Sequence, residues 1–233
     1  MLDCIRKTQI FHIDQMISPE KSVSFECNYP ILVEIYESIK NINDLSFKIR
    51  LRALNILVSV SRDIGTVTGF KAISFELIRY SNLMESESSK LRELIHKILV
   101  AHTFQKKIDR TVRFIRRIEI HTNAETQRFY RSDLDSIFLE NERKHLSLNE
   151  NIYESIQLLM KFTKEFFKIC MKGNSIAVLA KIESAYMKEQ REVYMKLAED
   201  VERFLAETMA SLKNILTSLG IDISNEENKI YLH

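Results

Sequence analysis

INDLSFKIRLRALNILVSVSRDIGTVTGFKAISFELIRYSNLMESESSKLRELI, residues 42–95, reads as two amphipathic helices joined by a short polar bend. From Phe70 onward the apolar positions are 73, 77, 80, 84, 91, 94, 98, 101, 108, 112 and 115. Alternating steps of three and four define a coiled-coil seam. Only Glu87 and Gln105 interrupt it, so Phe70 to Ile115 is expected to form one helix of roughly 70 Å at about 1.5 Å per residue. The preceding arm carries Ile35, Ile39, Ile42, Ile49, Ala53, Ile56 and Val60 at the same spacing, with Ser46 as its polar exception. Between the arms, Arg62 to Gly69 holds Gly65 and Gly69, and glycine tolerates the left-handed conformations of a tight reversal. The two helices are therefore expected to fold back antiparallel.

Outside this hairpin the chain is equally poor in helix breakers. Of 233 residues only two are proline and four are glycine, and both prolines precede Ile31. Nearly everything after Pro30 is thus expected to be helical. A second hairpin follows from Ile152, Ile156, Leu159, Phe162, Phe166 and Ile169, a bend at Met171-Lys172-Gly173-Asn174-Ser175, and a last helix closed by Gly220. That last helix would carry Leu179, Ile182, Tyr186, Val193, Leu197, Val201, Phe204, Leu212 and Ile215 as its seam. The fold class is all-α: an elongated antiparallel four-helix bundle built from two long coiled-coil-like hairpins.

In this reading residues 1–30 are an appended N-terminal arm, in which Val23 to Cys27 alternates like a strand. Residues 31–120 form the first hairpin, and 121–151 an irregular polar connection with a short helix around Leu134, Ile137 and Phe138. Residues 152–220 form the second hairpin packing on the first, and 221–233 a C-terminal tail. No apolar run approaches the roughly 20 residues that a membrane span requires, and the opening residues form no signal-peptide pattern. Cys4, Cys27 and Cys170 are odd in number and far apart, which fits reduced thiols in a cytoplasmic protein.

The hairpin tip carries a resemblance. Ile42-Asn43-Asp44-Leu45-Ser46-Phe47 followed by Ala53-Leu54-Asn55 resembles the approach to the tip of methyl-accepting chemotaxis receptors. Arg62 falls where that family has the arginine before its turn, Gly69-Phe70 where it has Gly-Phe, and Glu76 where it has a tip-proximal acid. Leu91 with Leu94-Ile95 continues the spacing, so the resemblance covers about a quarter of the chain. It implies a cytoplasmic signalling bundle whose tip engages a histidine kinase, its coupling adaptor or other chemoreceptors. The departures are Gly65 for the turn glutamate, Thr68 for the turn arginine, Val67 for a glycine and Phe75 for an acid. Losing those charges removes charge-assisted contacts and argues against kinase coupling. The adjacent acidic pair of receptor methylation sites is also missing.

In that family two chains pair their hairpins, whereas this chain holds two hairpins of its own. A monomer imitating the receptor dimer is one expectation, a homodimer the other. The tip also carries a second seam, Phe47, Leu51, Leu54 and Val58, opposite Ile49, Ala53, Ile56 and Val60. One bundle buries one stripe. The second is expected either to meet a partner or to be covered by residues 121–151. The expected interaction residues are therefore Phe47, Leu51, Leu54, Asn55, Val58, Arg62, Gly69, Phe70 and Glu76.

Other chemistries have thinner support. Glu93-Leu94-Ile95-His96 and Glu142-Arg143-Lys144-His145 share the Glu-x-x-His spacing of di-iron bundles, which also need an inward acid from each of two other helices, with Glu119 or Glu125 available. Ala101-His102-Thr103-Phe104 is similar to the start of a histidine phosphotransfer motif, but Gln105 and Lys106 replace its lysine and glycine. A metal-binding or phosphotransfer bundle is the alternative to a scaffold. No catalytic constellation or phosphate-cradling loop can be assembled, so neither an enzyme nor a cofactor is expected. Lys106, Arg110, Arg113 and Arg117, with Lys107 and Arg116 beside them, form a basic stripe. A formal net charge of only +2 favours a solvated face over nucleic-acid binding.

Overall fold

The computed structural model describes residues 29–62, 68–121, 124–186 and 191–221. They form four α-helices: α1 (Tyr29–Arg62), α2 (Thr68–His121), α3 (Ala124–Tyr186) and α4 (Arg191–Ser218). The expected strand-like stretch from Val23 to Cys27 and the Gly65 bend lie outside the described residues. Neighbours in the chain pack on one another and α4 returns to α1, while diagonal helices meet only through side chains that reach across the core. The result is a ring of four antiparallel helices around one core.

Each helix contributes a seam to that core. Ile35, Ile39, Ile42, Ile49, Ala53 and Ile56 of α1 are almost fully buried, as are Phe70, Leu77, Met84, Leu91 and Ile98 of α2. From α4 come Tyr194, Val201, Leu205, Leu212 and Ile215. Phe70 and Tyr194 meet with ring centroids 4.5 Å apart near the α1–α2 end. Small polar residues in the seams are satisfied within their own helices: Ser74 donates to the Phe70 carbonyl, Thr163 to Leu159 and Thr208 to Phe204. They add little bulk, so the helices approach closely without an orphaned hydroxyl. At the end of α4, Gly220 adopts φ 77°. Its N–H bonds the Thr217 carbonyl at 2.9 Å, and that of Ile221 bonds Leu216 at 3.0 Å, a Schellman cap.

Three expectations are corrected. The second bend is not at Met171–Ser175, because α3 runs unbroken from Ala124 through Gly173 to Tyr186. Gly173 serves close approach rather than reversal: a Cβ there would stand 2.3 Å from Cζ of Tyr80. Leu179, Ile182 and Tyr186, expected in the seam of the last helix, are exposed residues of α3, and Ala177, Ala180 and Ser184 are buried instead. Residues 124–151 likewise are regular helix rather than an irregular connection.

The length of α3 makes the molecule two-part. Counting from the Ser88–Asn43 hydrogen bond, Tyr29 of α1 lies level with His102 of α2. Beyond it α2 and α3 continue as a pair, joined by Gln105 to Asn149 at 2.5 Å and by Arg116 stacked over Phe138. The heptad columns register the change. Ser81, Ser88, Ile95 and His102 of α2 are buried, but the next members of their column are Asp109 and Arg116. On α3, Ile156, Thr163 and Cys170 give way to Asn149, Glu142 and Asp135. Charge enters where the other two helices end, since among the described residues no further helix there removes it from water.

Scattering should therefore show a maximum dimension near 95 Å, the span of the 63-residue α3 at about 1.5 Å per residue, rather than the roughly 45 Å of a compact sphere of this length. A globular profile would contradict the arrangement. Gly173→Ala should destabilise the fold by about 1–3 kcal/mol in denaturant unfolding through overpacking against Tyr80, and less in a Tyr80→Ala background.

Candidate docking surface

The rotation of α1 about its own axis decides what it shows to solvent. Ion pairs lock that rotation from both flanks: Arg50 reaches Glu85 of α2 at 2.6 Å, and Arg52 reaches Asp200 of α4 at 3.1 Å. Lys48 lies 5.8 Å from the Phe204 ring centroid on the α4 side. With Ile49, Ala53, Ile56 and Val60 turned inward, the opposite face must present Phe47, Leu51, Leu54 and Val58. They are 61, 48, 42 and 53% exposed, at successive spacings of four, three and four.

The expected site residues divide between this ridge and the interior. Asn55 is exposed beside the ridge. Glu76 is exposed on α2 and 3.8 Å from Arg79. Phe70 is 1% exposed and stacked on Tyr194, so it holds the core and is out of a partner's reach. Gly69 sits under the carboxylate of Glu183. Arg62 ends α1, and its side chain lies outside the described part. Further apolar side chains are exposed at this end: Phe75, Leu179, Ile182, Tyr186 and Val193. Sequence reasoning placed most of these in the core, because their periodicity alone does not tell an outward stripe from an inward one.

Residues 133–150 do not cover the ridge. Register contacts place them beside residues 105–116 of α2, whereas Arg50 beside the ridge meets Glu85. Among the described residues the seam is open.

The alternative chemistries find no assembled site. Glu93 is engaged by Lys97 at 2.7 Å, a hydrogen bond and charge that hold its carboxyl below the usual range. His145 is 3.5 Å from Asp109 and within hydrogen-bond range of Gln105 and Asn149. The two Glu-x-x-His motifs stand at different levels of the rod, and no group of three or more potential metal ligands forms among the described residues. The side chains of Glu119 and Glu125 lie outside the described part. His102 is 5% exposed, and among the described residues neither ring nitrogen has a hydrogen-bond partner, so burial keeps a phosphoryl donor from it. Cys170 is buried, which pushes its thiol up to about 12, and burial likewise raises the phenol of its neighbour Tyr80.

Comparison with known proteins returned no matching family model, curated protein or solved structure. No helix among the described residues is long and apolar enough to cross a membrane.

Because the thiolate is the reactive species, Cys170 should resist alkylation at pH 8 in the native protein and react once it is unfolded. Peptide mapping after iodoacetamide treatment checks this, and rapid native labelling at Cys170 would show that the α2–α3 contact opens readily.

Proposed function

We propose that the chain is a chemoreceptor-like signalling or scaffold protein, working in the cytoplasm through protein–protein recognition at the α1–α2 tip. The observation that carries this reading is the exposed ridge Phe47, Leu51, Leu54 and Val58 on a helix whose opposite face is already buried. Such contiguous apolar area on a folded surface ordinarily marks an interaction site. The resemblance of residues 42–95 to receptor tips supports the same location, since Phe47, Leu54 and Val58 correspond to residues through which receptor dimers gather. A single chain that supplies four helices would stand in for such a dimer.

Within this reading the partners are apolar helices of chemoreceptors, of a second copy, or of a kinase–adaptor assembly. The lost tip charges weigh against the last. The ridge offers four apolar knobs and little ionic guidance, so it would bind through packing rather than through oriented ion pairs. The burial of His102 and the separation of the two Glu-x-x-His motifs weigh against phosphotransfer and metal binding.

Phe47→Asp and Leu54→Asp should abolish self-association in equilibrium sedimentation, or binding of a titrated chemotaxis coupling adaptor. Both lie on an exposed face, so helicity and melting should stay within roughly 0.5 kcal/mol of the parent. Loss of fold in either variant would place the ridge in the core and remove the proposal.

A further inference from the structure

A second surface lies at the other end, where α2 and α3 run on without α1 and α4. One heptad column of α2 faces solvent along its whole length. Through the four-helix part it reads Glu76, Leu83, Lys90 and Lys97, largely charged as an outward column should be. In the two-helix part it becomes Phe104, Thr111 and Ile118, with Phe104 54% and Ile118 41% exposed. The change is not needed for α2 to hold α3, because Ile108, Val112 and Ile115 already supply that contact from a different face. Apolar side chains are placed outward where the fewest described helices flank them.

These residues edge a groove between the two helices. Phe104, Ile108, Thr111 and Leu148 line it, with a volume of about 500 Å³, and Lys107 and Lys144 stand at its rim. Lys144 is shared with Glu140 at 2.6 Å, whereas Lys107 continues into Arg110 and Arg117 along the outer edge of α2. Phe114, 64% exposed, stands among those three cations.

We infer that this groove receives an amphipathic helix of a partner protein whose apolar stripe is flanked by carboxylates. Phe104, Thr111 and Ile118 recur at heptad spacing on the exposed edge, with half-buried Ile108 beside them, a pattern against which the ridge of another helix fits. The basic edge supplies charge complementarity, steering an acidic flank and setting its orientation. Two other anionic occupants fit less well. A flat lipid surface cannot reach Ile108 and Leu148 at the bottom of the groove. A nucleic acid has no use for the aliphatic stripe.

The inference does not rest on the tip. Phe104 lies 28 residues beyond Glu76, or about 40 Å along α2. Together the two surfaces would make the rod bivalent, holding two partners a fixed distance apart.

The test is fluorescence anisotropy with a labelled helical peptide of about three heptads, leucine in its seam and glutamate on its flanks, beside a twin carrying lysine on the flanks. The glutamate peptide should bind saturably, more weakly as salt rises, and the lysine twin should not bind. Phe104→Asp and the pair Lys107→Glu with Arg110→Glu should each weaken binding by roughly tenfold or more with unchanged melting, since all three side chains are exposed. Phe47→Asp should leave it unaltered, which separates this site from the tip. Absence of saturable binding, equal binding of the twin, or binding retained in all the groove variants would overturn the inference. So would anionic vesicles or a single-stranded oligonucleotide binding at the groove where the peptide does not.

Discussion

The apolar seam of α2 is the constraint on which the rest of the molecule depends. It runs from Phe70 to Ile115, and no single neighbour covers it. α1 packs along its first part through Ile35 to Val60, while α3 follows it almost throughout. Burying aliphatic side chains of this kind contributes about 1.5–3 kcal/mol each, which is what holds a rod with so small a cross-section together. Since α2 outlasts α1, and α3 outlasts α4, the described part changes from four helices to two along its length. The polar groups at 109, 116, 135, 142 and 149 are the chemical record of that change.

Specific polar contacts then set register and rotation, which hydrophobic packing alone leaves loose. Arg50 with Glu85, Arg52 with Asp200, Lys181 with Glu202 and Asn41 with Ser211 each link different helices. Partly exposed pairs of this sort contribute modestly to stability. Their effect is geometric: they hold α1 so that one face is core and the other is ridge. Tyr80 over Gly173 acts similarly between α2 and α3, a bulky ring seated where a side chain is missing.

A rigid rod with apolar side chains on its outside has a functional consequence. The tip ridge and the basic-edged groove lie on helices that are regular and internally hydrogen-bonded, so neither needs to order a loop before meeting a partner. Binding on such preformed surfaces loses little conformational entropy. The two surfaces differ in chemistry, one nearly uncharged and one bordered by lysine and arginine, and so would select different partners.

Sequence alone determined the helical class, the first hairpin and most of the seam residues, because a three-and-four repeat of aliphatic residues with few glycines and prolines has one stable local structure. The seams of α1 and α2 and the Gly220 cap were legible for that reason. It also singled out Phe47, Leu51, Leu54 and Val58 as a second stripe. Only the tertiary structure decided the rest. Gly173 has the same local signature whether it turns the chain or admits a neighbouring ring, and the presence of Tyr80, far away in sequence, settles that choice. Leu179, Ile182 and Tyr186 repeat like a core stripe, yet face outward because Ala177, Ala180 and Ser184 let the helices come closer on the other side. Periodicity specifies that a helix has an apolar face. Which face becomes the inside depends on the volumes that must pack against it.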